Sequence, residues 1–527
     1  MIPPTVHQSI HEVLETAARL EPDRIAVSFV DGPDLTRGEL LDAALRVAGG
    51  LAEAGMGPGD RVAIMVTNRP EFLITFLAVS TLGAVSVPLN TALRGDVLSH
   101  MLESVGPCRL VADADLAHVA LAADAEANAV VATWCIGTGE WPADALPFGD
   151  LLAAPPLPSA HAGRPSDLAS ILFTSGTTGR SKGVMWSHRM TLAFSENASW
   201  VMGYHRDDVV YTCLPLFHIN ALFTAFLAAL MNDAPVVVSP RFSASRYWQE
   251  IADSHATVTN MLGVIGAILW KQPPSAAEKE HHLRLAMTVP FPTGTHREFE
   301  ERFGIAITEL YGSTDTGIPL GVPHGLSKPG SCGIPAPGWE VSIVDTDDRP
   351  VPPGQPGELV TRPIEPFVGQ LGYWRLPDKT WEAHRNSWFH TGDQFTRDEE
   401  GWFYFQDRLK DSLRVSGENV SSFEVEQVIL SHPDVAEAAV FAVPNSLGED
   451  SVMVALVVGD GKTLPPEDLI SFVSPRLPYF AVPRYVDILD HLPKTSTQKI
   501  QKEVLRNRGV TDRTWDGGQH SRRSAQS

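Results

Sequence analysis

The strongest chemical signal lies between Ile171 and His188, ILFTSGTTGRSKGVMWSH. An apolar run breaks into Thr174, Ser175, Gly176, Thr177, Thr178 and Gly179, with Lys182 just downstream. Glycines let main-chain N–H groups approach an anion closely, hydroxyls add donors, and a lysine neutralises charge. In physical terms this is a phosphate cradle. It is not the GxxxxGK[ST] loop of the P-loop NTPases, because the glycine and lysine spacing fails. Gly461-Lys462-Thr463 fails as well, since Leu456 stands where the first glycine must be. The bland alternative is a Ser/Gly-rich surface turn, against which the preceding buried-type strand argues.

TSGTTGRSKG resembles the phosphate loop of the adenylate-forming enzymes: acyl-CoA synthetases, luciferases and peptide-synthetase adenylation domains. Further motifs follow in that family's order, and the resemblance covers roughly residues 10–505. Tyr311-Gly312-Ser313-Thr314-Asp315 is similar to its adenine and metal motif, and His390-Thr391-Gly392-Asp393 to its ribose motif. Asp407 to Glu426 resembles the hinge and the helix after it, and Pro493 to Lys499 the loop carrying a catalytic lysine.

The resemblance implies ATP-dependent activation of an acid as acyl-AMP, release of pyrophosphate, and thiol displacement of AMP by CoA. That first step brings two anions together, so cations must stabilise the transferring phosphoryl group. Lys499 is implied as one cation and Mg²⁺ as another, the metal held by Asp315. Tyr311 is implied to lie against adenine, with Gly312 and Ser313 in the same nucleotide motif. Thr314 would donate to the AMP phosphate, Asp393 bind both ribose hydroxyls, and Arg408 add a nucleotide contact. Lys410 matches the hinge, about which a small domain would rotate between half-reactions. Ser416, Gly417, Glu418 and Asn419 match the segment facing the pantetheine channel, which favours CoA as acceptor. His218, in LPLFHINAL, resembles the family's gate beside the acyl group; its plain alternative is a satisfied core histidine. Within the family, the run from His218 to ERFG is most similar to crotonobetaine/carnitine-CoA ligases, and the acid itself is unspecified.

Three positions depart from the pattern. Asp315 stands where the family usually has glutamate; Asp315→Glu is expected to be tolerated. Gln498 replaces the glycine before the lysine, at about 1 kcal/mol if that site needs positive φ. MTVPFPTG (287–294) replaces a Gly/Ala-rich loop, and Pro290 and Pro292 stiffen it. These departures keep open an adenylating enzyme that does not use CoA, such as a diazotase activating nitrite for an aryl amine. A non-catalytic nucleotide binder is the third class; the joint presence of Lys499, Thr314 and Asp393 opposes it.

The elements that must position these residues read as α/β. RIAVSF, RVAIMV, AVSVPL, RLVADA, VVVSP and TVTNML are strand-like; EFLITFLAVSTL, SASRYWQEIADSH and HREFEERF are helical. Such alternation predicts doubly covered, largely parallel sheets in a large N-terminal domain (1–406). A small β-rich subdomain is expected over 327–404, a hinge at 407–410, a small mobile α+β domain over 411–511, and a disordered tail over 512–527. Phe72 to Leu89 is free of charge but divides at Gly83 into a buried helix and a short strand, so no membrane span is predicted. The 527 residues carry a net charge of −22, which repels nucleic acid while allowing a local basic pocket for a phosphorylated ligand. Four widely spaced cysteines form no CxxC pair, and the N-terminus lacks a signal sequence, so a cytoplasmic protein is expected; the family resemblance implies a monomer or homodimer.

Overall fold

A computed structural model describes residues 7–174, 181–289, 296–408, 413–415, 418–444, 450–477, 481–495 and 499–517. Of these, 7–174, 181–341 and 361–389 form one compact unit, and 342–360 with 390–517 form a second. The first unit contains two large sheets. A seven-stranded sheet runs Leu146–Pro147, Val130–Ile136, Cys108–Asp113, Arg61–Met65, Val85–Pro88, Leu168–Thr174 and Lys182–Ser187. Its pairings are parallel except the last, where Leu168–Thr174 turns back antiparallel to Lys182–Ser187.

The nine-stranded sheet is parallel through its centre, from Ile25–Phe29 across Val236–Val238, Val210–Thr212, Val258–Leu262 and Leu285–Val289 to Ala306–Ser313. Antiparallel strands close both edges: Asp34–Thr36 at one, Gly317–Gly321 and Ile334–Pro335 at the other. The six expected β-branched runs are all parallel strands, since a strand covered on both faces needs apolar residues throughout, while Val130–Ile136, Val210–Thr212, Leu285–Val289 and Ala306–Ser313 add parallel strands beyond them.

The uncharged stretch folds as expected. Pro70–Leu82 is a helix ended by Gly83 in the left-handed region at φ 73°, and Val85–Pro88 is a strand. The helix is buried all round, which its two threonines tolerate by bonding back one turn: Thr75 Oγ1 donates to the Glu71 carbonyl at 2.6 Å and Thr81 Oγ1 to that of Leu77 at 2.8 Å. Among the described residues no helix is long and apolar enough to cross a membrane.

The turn-rich region forms a five-stranded sheet, ordered Trp339–Val344, Gly357–Pro363, Trp388–Arg397 and His384–Arg385, with Phe403–Arg408 paired to Trp388–Arg397. Further on, Val435–Pro444, Asp450–Val458, Tyr485–Ile488 and Trp515–Asp516 make a four-stranded sheet. Val440, Val454 and Leu456 pack with Ile429 and Leu469 of helices Ser422–Leu430 and Pro466–Val473. Lys502 holds this unit's polar interior. Its Nζ lies 2.8 Å from Glu426 and 2.7 Å from the Ser422 hydroxyl, and Ser422 donates in turn to Asp407.

The tail corrects an expectation. Trp515 and Asp516, in the stretch read as disordered, pair antiparallel with Val486 and Tyr485. Trp515 Nε1 donates to Glu467 at 2.8 Å and Arg484 meets Asp516 at 3.0 Å. Local polarity hid a strand fixed by partners 30 to 50 residues earlier.

Candidate active site

Lys182 begins a strand rather than ending a loop. It pairs in register with Thr174, whose hydroxyl donates to the Lys182 carbonyl at 3.4 Å. The intervening Ser175, Gly176, Thr177 and Thr178 lie outside the described residues. Gly183, next in the strand, has to be glycine, because a Cβ there would come within 2.7 Å of the Ile171 side chain.

A tyrosine that sequence reasoning missed joins Lys182 to the second motif. The Lys182 ammonium sits 3.9 Å from the centre of the Tyr373 ring. The Tyr373 hydroxyl donates to Asp315 Oδ1 at 2.6 Å. Burial, reinforced by the neighbouring carboxylate, raises the Tyr373 pKa well above the ordinary phenol range, so the hydroxyl keeps its proton. Gln370 Nε2 donates to the Asp315 carbonyl at 3.1 Å.

The Tyr311–Asp315 stretch leaves the strand Ala306–Ser313 in a tight turn. Ser313 Oγ accepts from the N–H groups of Asp315 (3.2 Å) and Thr316 (3.1 Å). Gly312 packs so closely against the returning chain that a Cβ would come within 2.5 Å of the Gly317 carbonyl oxygen. Tyr311 is buried in the strand. Trp186 Nε1 donates to the Thr314 carbonyl at 2.8 Å, and its ring stacks on Phe223 at 5.4 Å. Phe223 belongs to the buried π-helical segment Asn220–Leu227 that His218 leads into. His218 is half-buried, edge-on to Phe217 at 4.6 Å. The first unit thus brings Thr174, Lys182, Thr314 and Asp315 into one linked set.

In the second unit, Asp393 and Arg408 are directly opposed partners on antiparallel strands. Glu358, also missed, clamps the turn before Asp393: it accepts from Gly392 N–H at 3.0 Å and meets His390 Nδ1 at 2.8 Å. Gly392 sits at φ 72°, where glycine is favoured. Lys499 is exposed on a hairpin closed by a Lys494–Ile500 bridge. Thr495 N–H donates to the Lys499 carbonyl at 2.7 Å, and Lys499 N–H to Thr495 Oγ1 at 3.1 Å. Glu418 lies on a short strand paired with Leu413–Val415. Lys410, Ser416, Gly417, Gln498, Pro290 and Pro292 lie outside the described residues.

The chain thus carries a linked Lys182–Tyr373–Asp315 set in a unit built on two large α/β sheets, and an α+β unit. Residues 14–374 match the AMP-binding enzyme family and residues 424–499 its C-terminal domain. The chain belongs to that family, and is an adenylate-forming ligase of the acyl-CoA synthetase branch. It is 32% identical over 466 residues to a crotonobetaine/carnitine–CoA ligase of Salmonella arizonae, covering 86% of this chain and 89% of the relative. ATP-bound MatB from Rhodopseudomonas palustris superposes with a TM-score of 0.83 at 29% identity, over 94% of this chain and 98% of that one. The anthranilate CoA ligase AuaEII in complex with anthranoyl-AMP gives 0.88 at 23% identity, over 96% and 98%, which speaks to the fold.

Proposed function

We propose that this enzyme joins a small carboxylic acid to the α-phosphate of ATP and then transfers the acyl group from AMP to CoA. The observation that carries the reading is the Lys182–Tyr373–Asp315 set. It joins a carboxylate to the lysine that follows, in sequence, a segment whose composition suits phosphates.

In this reading Thr174, Ser175, Gly176, Thr177, Thr178 and Lys182 hold the β- and γ-phosphates, while Tyr311, Gly312 and Ser313 receive the adenine end. Thr314 donates to the α-phosphate, Asp393 takes the ribose hydroxyls and Arg408 adds a contact. Asp315 fits Mg²⁺ of the kind bound through one carboxylate and nucleotide phosphates, because Tyr373 occupies Oδ1 only. Bound there, the ion would neutralise charge on the phosphates. Lys499 stabilises the α-phosphoryl group as the carboxylate attacks. His218 lines the acyl side, and Ser416, Gly417 and Glu418 line the pantetheine approach. The second unit turns about Lys410 to exchange Lys499 for that segment. The protein works in the cytoplasm as a monomer or homodimer, with no nucleic-acid partner.

The test is AMP release from ATP and Mg²⁺ over a panel of short, branched, aromatic and betaine-like acids, plus nitrite with an aryl amine, each with and without CoA. A CoA-dependent carboxylic thioester is the expected product. AMP formed from nitrite, or indifferent to CoA with every acid, would overturn the assignment.

A further inference from the structure

Tyr373 is held by its own backbone before its side chain does anything. Its N–H donates to Thr380 Oγ1 at 2.9 Å, the flanking Trp374 N–H donates to the Gly183 carbonyl at 2.7 Å, and Met185 N–H donates to Gly372 at 2.9 Å. The segment 371–374 therefore runs as an added edge along the strand that Lys182 opens, with Tyr373 bridged to Val184. The side chain is 3% exposed. Its ring face supports the Lys182 ammonium, and its hydroxyl ends on one oxygen of Asp315. Three residues earlier, Gln370 fixes the Asp315 main chain. One short segment thus sets the place of a cation at the start of one strand and of a carboxylate in the turn after another.

We propose that Tyr373 is a positioning residue for the metal–nucleotide complex, holding the Asp315 carboxylate in a single orientation and specifying aspartate at position 315. This rests on reading the site as one for ATP with a divalent cation. A carboxylate bonded through Oδ1 loses its free rotation, so its other oxygen presents one direction to a cation without an ordering cost at binding. Specification follows from reach. A glutamate carries its carboxylate one methylene further, and at 2.6 Å the tyrosine oxygen already stands in contact with the shorter acid. This reverses the expectation from sequence that Asp315→Glu is tolerated: with Tyr373 in place the change is expected to impair the site, and removing the hydroxyl to relieve it.

The test compares the parent with Tyr373→Phe, Asp315→Glu and the double variant, all as full-length protein. ATP affinity is measured by calorimetry with and without Mg²⁺, a readout independent of turnover. Tyr373→Phe should weaken Mg²⁺-ATP binding about tenfold, the scale of one hydrogen bond to a charged group. Metal-free ATP binding should change by less than about twofold, because the ring under Lys182 is kept. The Mg²⁺ concentration for half-maximal AMP release should rise in parallel. Asp315→Glu should lose more than the double variant, a coupling that independent sites do not show. Equal weakening with and without Mg²⁺ would reduce Tyr373 to a structural role and overturn the proposal. So would a double variant no better than Asp315→Glu. A parent whose ATP binding ignores Mg²⁺ removes this proposal and the functional reading together. A parent that couples Mg²⁺ to ATP yet releases no AMP with any acid removes the functional reading and leaves the positioning role standing.

Discussion

Lys499 is exposed, and its main chain bonds to Thr495 through the Thr495 N–H and the Thr495 hydroxyl. Lys499→Ala, at an exposed position, should shift the melting temperature by no more than an ordinary surface substitution while lowering acyl-AMP formation at least a hundredfold, the loss expected when a cation leaves a phosphoryl-transfer site. Pyrophosphate release and a thermal melt, run side by side, check both halves; an unaltered rate removes Lys499 from the chemistry. Lysine, aspartate and the Ser/Gly loop were visible in the sequence because each sits in a short run with its own composition. Tyr373 was not. It lies 58 residues beyond Asp315 and 191 beyond Lys182, inside GYW, where nothing local marks it as polar machinery. Its role comes from an added edge pairing that only the folded chain creates. Glu358 escaped for the same reason: it looks like a turn carboxylate until Gly392 and His390 are seen bound to it.

At the scale of elements, the β-branched parallel strands were legible because burial on both faces demands continuous apolar runs. The antiparallel returns Lys182–Ser187 and Gly317–Gly321 were less so, since Gly, Lys and Pro in them dilute the strand signal. Both returns flank the site and both approach it closely. Gly312→Ala should force the Ala306–Ser313 strand away from Gly317, because the offending atom is a backbone oxygen at 2.5 Å and cannot rotate aside. Thr314 and Asp315 would move with it, and a shift near 1 Å at such positions costs on the order of a hundredfold. AMP release should fall on that scale, and a variant as active as the parent would show that the turn yields elsewhere. The strand Lys182–Ser187 also ends at a pH-sensitive joint. His188 is buried and its Nδ1 accepts from Ile10 N–H, and burial pulls its pKa down to about 4, against a lesser opposing pull from Asp167. With a folded value below the unfolded 6.5, its contribution is complete above about pH 6.5 and is lost as pH falls toward 4. The span corresponds to about 3 kcal/mol at most. Urea unfolding at pH 7 and pH 4.5 should show a steeper loss for the parent than for His188→Asn.

For the whole molecule, the order of motifs along the chain was readable, but the compact units were not, because the second takes in residues 342–360 well ahead of position 390. Linear composition cannot show that a mid-chain hairpin belongs with a C-terminal unit. The proposed cycle asks this second unit to serve two half-reactions in turn, with Lys499 needed in one and the Ser416–Glu418 segment in the other. The two demands separate experimentally. Lys499→Ala, given pre-formed acyl-AMP and CoA, should still make thioester within about threefold of the parent, since the step it serves has been bypassed. Gly417→Leu should do the reverse. It should form acyl-AMP from ATP and acid normally, yet lose thioester formation at least a hundredfold, because a branched side chain would obstruct the pantetheine approach. Stopped reactions resolved by mass, with acyl-AMP and acyl-CoA followed together, distinguish the two variants in one assay. If each variant lost both steps equally, a rotating second unit with one task per orientation would be the wrong picture. A fixed site in which Lys499 and Gly417 act together would replace it.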